Sequence, residues 1–130
     1  MIRRKLGFVI LVMMLAAIGC RTAPVIPELG AVTGTITLDG RPLVNATVIF
    51  TPAGPGRTSV AVTDADGRYA LAYLRGITGA NLGRHAVRIT AANEANEMQE
   101  SLPERYHLKT VLTAEVAAGP NTIDFDLKSK

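Results

Sequence analysis

The sequence predicts an all-β domain, an antiparallel β-sandwich of six or seven short strands behind an N-terminal leader. Three observations predict it. From Val32 to Leu38 the apolar side chains fall on even positions and threonines on odd ones, so one face enters a core and the other meets water. Turn signals recur at short intervals: Asp39-Gly40, the Pro/Gly run from Pro52 to Gly56, Asp66-Gly67 and Gly119-Pro120-Asn121. After the leader, no stretch repeats its apolar residues with a convincing helical period. Short strands separated by turns are the pattern of a sandwich.

The chain opens with a basic cluster, Arg3-Arg4-Lys5, and an apolar run from Leu6 to Ile18 that ends in Leu15-Ala16-Ala17-Ile18-Gly19-Cys20. Basic, then apolar, then small residues is the order of a secretory signal peptide. The run is short of the about 20 residues that span a bilayer. Ile2 before the arginine pair and Leu6-Gly7-Phe8 after it fit a plain basic leader better than a twin-arginine signal. The residues before Cys20 resemble the lipobox of bacterial lipoproteins, with Ala17 where that family more often has Leu. The resemblance implies that Met1–Gly19 is a cleaved signal peptide. It also implies that the Cys20 thiol takes a diacylglycerol and holds the exported protein on a membrane as an acylated (palmitate-type) lipoprotein.

Removing the leader leaves 111 residues, the size of one domain. Arg3, Arg4 and Lys5 leave with it, so 14 basic residues become 11, against 11 acidic ones. The mature chain is formally neutral, which argues against a nucleic-acid partner. With Cys20 as the only cysteine there is no internal disulfide. An acylated Cys20 leaves no free thiol, and the domain must stand on its apolar core.

Residues 20–29 read as an extended tether carrying Pro24 and Pro27. About ten residues at roughly 3.1 Å each reach on the order of 30 Å, which keeps the domain near its membrane. Arg21 stands where an Asp would mark inner-membrane retention, which favours the outer membrane, with the domain facing the periplasm or the cell surface.

The domain is expected to fill 30–130. After the first strand, Val44, Ala46, Val48 and Phe50 alternate with Asn45, Thr47 and Thr51; Ile49 breaks the alternation, which predicts a strand covered on both faces. Val60 and Val62 begin the next strand, ended by Asp64-Ala65-Asp66-Gly67. Tyr69, Leu71 and Tyr73 alternate on another, and Gly76 to Gly83 is rich in turn residues. His85, Val87 and Ile89 share one face of the strand that follows. Ala91 to Arg105 is polar and reads as the longest loop, with room for one helical turn. Val111–Val116 and Ile123–Leu127 are the last two strands, joined through Gly119-Pro120-Asn121, with Ile123, Phe125 and Leu127 facing in and Asp124, Asp126 and Lys128 facing out.

Three segments together resemble carboxypeptidase regulatory-like domains, which are transthyretin-like (prealbumin-like) β-sandwiches. They are the run from Gly34 to Phe50 through Asp39-Gly40-Arg41-Pro42, the run Thr63-Asp64-Ala65-Asp66-Gly67-Arg68-Tyr69-Ala70-Leu71, and Gly83-Arg84-His85-Ala86-Val87-Arg88-Ile89. The tail, with Pro103-Glu104-Arg105-Tyr106, Leu112 to Val116 and Asn121 to Leu127, is similar to small exported lipoproteins of planctomycete-type bacteria. The resemblance implies a Greek-key sandwich of seven or eight strands and a non-catalytic role.

The candidate chemistry is sparse. Asp64-Ala65-Asp66-Gly67 begins like a calcium loop, but the twelfth position, where a Glu ligand belongs, is Arg75. A turn capped by Asp64 is the better reading. His85 and His107 are the only histidines. The transthyretin-like fold also serves 5-hydroxyisourate hydrolase, which would use His85 with Arg88 here, but the C-terminal Tyr-Arg-Gly-Ser motif of that family is missing. His85 is expected to pack or cap a strand edge and His107 to be exposed, a poor basis for zinc. Ser59, Ser101 and Ser129 lack the setting of a catalytic serine. Glu94, Glu97, Glu100 and Glu104, within the Glu-rich loop 93–104, read as a solvated surface. The mature chain has no Trp and only Tyr69, Tyr73 and Tyr106, which disfavours an aromatic platform for sugars. No metal, cofactor or catalytic residue is expected. The expected function is that of a lipid-anchored, non-enzymatic module of the cell envelope, structural or binding an envelope protein. A hydroxyisourate hydrolase and a glycan-binding module are the alternatives.

Overall fold

A computed structural model describes residues 26–93 and 96–130, the side chains of 92–100 excepted. Cys20, the leader and most of the tether lie outside the described residues, as does Glu94. In chain order the strands are β1 (Leu29–Leu38), β2 (Arg41–Pro42), β3 (Thr47–Pro52), β4 (Ser59–Val62), β5 (Arg68–Ala70), β6 (Ala72–Leu74) and β7 (Ile77–Thr78). They continue with β8 (Ala80–Asn81), β9 (Gly83–Thr90), β10 (Ala92–Asn93), β11 (Asn96–Glu100), β12 (Thr113–Val116), β13 (Gly119–Thr122) and β14 (Phe125–Leu127). The domain is all-β, with two sheets packed face to face in a sandwich-like arrangement.

β1 is the spine of the first sheet. Along one edge it pairs in turn with β8, β5 and β2, all antiparallel. Along the other it pairs with β13 and β14, which run parallel to it in one continuous register, Gly30 opposite Gly119 and Leu38 opposite Leu127. The sequence predicts an antiparallel sheet and a turn at Gly119-Pro120-Asn121. Instead those residues form a strand, because Asn121 anchors the backbone there by donating to the carbonyls of Ala31, Ala117 and Gly119. The second sheet has the order β12-β9-β3-β4-β6-β7 and is antiparallel throughout.

The segment expected as one strand from Tyr69 to Tyr73 is divided between the sheets: β5 pairs with β1, while β6 pairs with β4. Leu71 sits at the crossing, buried, with its N–H donating to the Val32 carbonyl. The polar stretch expected as a loop contains the hairpin β10–β11 and a 3-10 turn at Glu104–Tyr106.

The core joins the inner faces. Val32 and Ile36 of β1 and Phe125 and Leu127 of β14 meet Val48 and Phe50 of β3 and Val87 and Ile89 of β9. Phe50 is at its centre, 6.4 Å from the Tyr69 ring and 6.3 Å edge-on from the Phe125 ring, which ties the second sheet to the first. The alternation in β4 places Ser59 and Ala61 inward and Val60 and Val62 outward. Ser59 stands directly opposite Phe50, and a small residue there makes room for the ring. Val44 is exposed because Asn45 takes a left-handed φ of 57° and breaks the expected alternation before β3 begins.

Gly34 explains how the first sheet is locked. It faces the core opposite Tyr69, whose ring passes beneath it so that the phenol donates to the Ile123 carbonyl at 2.6 Å. A Cβ on Gly34 would lie 1.8 Å from that carbonyl oxygen and 2.9 Å from the Tyr69 ring.

Candidate functional site

The outward residues of β1 are Thr33, Thr35 and Thr37, the threonine face of the sequence pattern. Beside them stand Thr122, Asp124 and Asp126 from the C-terminal strands, and Arg68 and Ala70 from β5. Thr37 and Asp126 apart, these residues line, with Val62 and Asp64 at one side, an open groove of about 590 Å³ across the outer face of the first sheet.

Backbone geometry holds the two groove carboxylates. Asp64 Oδ1 accepts the N–H groups of Asp66 and Arg68, both at 2.9 Å. The Gly67 N–H bonds to the Asp64 carbonyl, and Gly67 itself adopts φ 75°, which its missing side chain permits. The backbone donors at Arg68 and Asp66 hold the Asp64 carboxyl below its ordinary range. Asp124 Oδ1 accepts the Thr35 N–H at 2.8 Å, filling a gap in the parallel ladder between β13 and β14. Next along the strand, Thr37 donates its hydroxyl to Asp126. The Arg68 guanidinium makes no ion pair among the described residues. Burial, with the Asp124 charge nearby, pushes the Tyr69 phenol up, so the groove floor stays neutral. The groove thus presents fixed carboxylates, one cation and a row of hydroxyls, a surface suited to hydrogen bonding.

The sequence marks these threonines and aspartates as outward-facing but gives no reason to group them. Thr33 and Thr122 are 89 positions apart, and only the parallel register of the C-terminal strand brings them side by side. The alternation of Thr33, Thr35 and Thr37 was the available signal.

The histidines are placed elsewhere. His85 is fully buried, against the Phe50 ring at 5.6 Å. Its Nδ1–H donates to the Gly83 carbonyl at 3.1 Å, which fixes the tautomer, and Nε2 has no partner among the described residues. Burial holds the imidazole below its ordinary range. His107, expected at the surface, is buried. Its Nε2–H donates to the Leu102 carbonyl at 2.9 Å, which pulls the loop end inward. The structure does not bring His85 and Arg88 together. Three residues apart on β9 they occupy opposite faces, and Arg88 donates through Nε to the His107 carbonyl. Of the serines, Ser59 is buried beside Phe50 and Ser101 donates to the Ala91 carbonyl. Among the described residues no cluster of three His, Cys, Asp or Glu could hold a metal. The turn at Asp64 is capped by that residue's carboxylate, which accepts the Asp66 and Arg68 N–H groups. Of the glutamates, Glu104 is exposed and pairs with Lys109 at 3.7 Å. No helix of the described residues is long and apolar enough to cross a membrane.

No protein-family model matches the chain, and no curated protein is similar to it. Among solved structures, a 9R-lipoxygenase from Cyanothece PCC8801 is 19% identical over 82% of this chain and 18% of that chain, with a TM-score of 0.35. A likeness of that size carries no argument about fold or activity.

Proposed function

We propose that this protein is a lipid-anchored, non-enzymatic module of the cell envelope, held by an acyl group on Cys20 and presenting a prealbumin-like, Greek-key sandwich to an envelope protein. The observation that carries the binding role is the groove on the first sheet. It gathers hydroxyls, two backbone-fixed carboxylates and Arg68, which makes no ion pair among the described residues, on one sheet face. The non-catalytic part is supported by the histidines. His85 is enclosed by the core, and His107 is tied to a backbone carbonyl beneath a loop. The anchor is supported by the order of basic, apolar and small residues ahead of Cys20, and the family by the segments around Gly40 and Gly67.

The test is in-cell cross-linking of the full chain followed by mass spectrometry. One dominant protein partner, lost in Cys20→Ser and weakened in Asp124→Asn with Arg68→Gln, is the expected result. Reproducible capture of glycan alone would replace the protein partner with a sugar. Turnover of 5-hydroxyisourate by the purified protein, abolished in His85→Ala, would overturn the non-enzymatic reading.

A further inference from the structure

The strands at the margins of the sheets differ in what they leave open. β7 is two residues long, and the margin formed by β13 and β14 is interrupted where the Ile123 carbonyl turns to the Tyr69 phenol. β12 is a regular edge strand that pairs with β9 along one side only. The Leu112 carbonyl accepts the Val87 N–H, so the main chain of Leu112 faces β9. Backbone groups alternate in direction along a strand, so Ala114 and Val116 face β9 as well, while Val111, Thr113, Glu115 and Ala117 face away. Both ends of that outward set are occupied. The Val111 N–H donates to the Arg105 carbonyl at 3.1 Å. The Asn121 side chain takes both groups of Ala117, accepting from its N–H at 3.0 Å and donating to its carbonyl at 2.8 Å. The N–H and C=O groups of Thr113 and Glu115 remain, with no partner among the described residues.

Two donors and two acceptors, repeated about 7 Å apart along a strand edge, match the main chain of an extended polypeptide. The side chains around them narrow the choice. Val111, Thr113 and Glu115 share the outer face, and Val111 at 72% and Leu108 at 71% are the most exposed large apolar residues described. On the inner face Leu112 and Ala114 are only partly buried against the core. Glu115 stands opposite Arg84 without forming an ion pair among the described residues. An antiparallel neighbour therefore fits best with apolar residues beside Leu112, Ala114 and Val111 and a cation beside Glu115. A second copy paired about Ala114 would use the same backbone groups, but it sets Ala117 against Val111 and Thr113 against Glu115. The valine would then meet a single methyl group and the carboxylate no cation.

We infer that the free edge of β12 takes an extended segment of a partner protein as an added antiparallel strand. The segment is hydrogen-bonded to Thr113 and Glu115, with a basic residue beside Glu115 and apolar residues beside Leu112, Ala114 and Val111. This surface is separate from the groove on the first sheet, and its use depends neither on the groove nor on the anchor. The added strand lengthens the second sheet and completes the burial of Leu112 and Ala114.

The probe is the acetylated and amidated peptide Lys-Val-Thr-Val-Ile, whose order runs antiparallel from Glu115 back to Val111. A scrambled peptide of the same composition is the control. Amide hydrogen exchange of the full chain in detergent is followed by NMR with each peptide at millimolar concentration. The Thr113 and Glu115 amides are expected to slow several-fold with the probe and not with the control, while Ile77 and Thr78 of β7 are unchanged. Thr113→Pro removes one outward donor and leaves the ladder to β9 intact, since proline is tolerated on an edge strand, and it should abolish the slowing at Glu115. Glu115→Lys keeps every backbone group, and it should weaken the probe and favour the same peptide with glutamate in place of lysine. No slowing at either amide, equal slowing by the scrambled peptide, or binding indifferent to both substitutions would overturn the inference. Slowing that appears without peptide and grows with protein concentration would identify a second copy as the added strand, and also overturns it.

Discussion

The two sheets are built by different rules. The second is a regular antiparallel ladder in which β3 and β9 alone share six register pairs, so its order is spread over many similar contacts. The first hangs on one ten-residue strand, β1, whose five partners are each four residues or shorter. Its closure depends on single atoms: the Tyr69 phenol on the Ile123 carbonyl, the Asp124 carboxylate on the Thr35 N–H, and the side chain that Gly34 lacks. A distributed ladder tolerates changes on its outer face and fails through lost core volume. A sheet held at points fails wherever a point is touched.

The largest effect should come from Gly34→Ala. The backbone there does not need positive φ, so the cost is steric alone. The new methyl would overlap the Ile123 carbonyl oxygen, on the backbone between β13 and β14, which cannot rotate away as a side chain could. The cost should exceed the about 1–3 kcal/mol of ordinary overpacking. Urea denaturation should show no cooperative transition, or one at far lower urea. A midpoint near wild type would mean that the C-terminal strand shifts freely, and the contrast between the sheets would fail. Phe50→Ala comes next, on the second sheet. It removes the ring that joins Tyr69, His85 and Phe125, and a buried aromatic lost to Ala costs about 3–5 kcal/mol. Its thermal unfolding should remain cooperative at a lower midpoint, since the ladder around it persists.

Tyr69→Phe isolates one of the points. The ring stays under Gly34 while the Ile123 carbonyl loses its donor, a loss of about 1–3 kcal/mol when an acceptor is left unpaired. Hydrogen exchange should accelerate at the β1 amides facing the C-terminal strand and not in β3 or β9. Uniform acceleration would show that the two sheets open as one unit.

The same difference explains what the sequence revealed. Period-two alternation reports the face a residue takes, and it placed Val32, Ile36, Phe50, Val87, Ile89 and Phe125 inward, where they are. It is silent about partners. Nothing local to Ile123–Leu127 says that this strand runs parallel to the first, and nothing in Tyr69, Leu71 and Tyr73 says that the chain changes sheets at Leu71, because alternation continues through the crossing. Ser59, Ala61 and Thr63 face inward for a tertiary reason, the Phe50 ring opposite Ser59, so the valines between them are turned out. His107 is drawn inward by a bond to Leu102, five residues back in a loop with no periodicity to read. The groove shared this fate: its residue types were visible, and its assembly depended on a pairing 89 positions apart.

His85 gives a pH-dependent contrast. Burial favours its neutral form, although Glu115 and the bond to Gly83 act the other way, so its folded value lies below the ordinary 6.5. As pH falls through the unfolded value the unfolded chain takes up a proton that the folded chain refuses. This residue's contribution is complete above about 6.5 and is lost progressively down to the folded value. His85→Leu should flatten the stability profile in that window while leaving the steeper acid limb of the carboxylates. Identical slopes in both proteins would show that the buried ring is protonated as easily as a free one.

The smallest effect should be Val60→Thr, on the outer face of the ladder. Val60 pairs with Ile49 and Ala72 but points to solvent, and threonine keeps its β-branched shape in a strand. The change should stay within about 0.5 kcal/mol, as surface substitutions usually do. A loss well beyond that, measured on the lipid-free protein, would mean that something packs on this row within the domain itself. The second sheet would then have two buried faces, and its tolerance would shrink to that of the first.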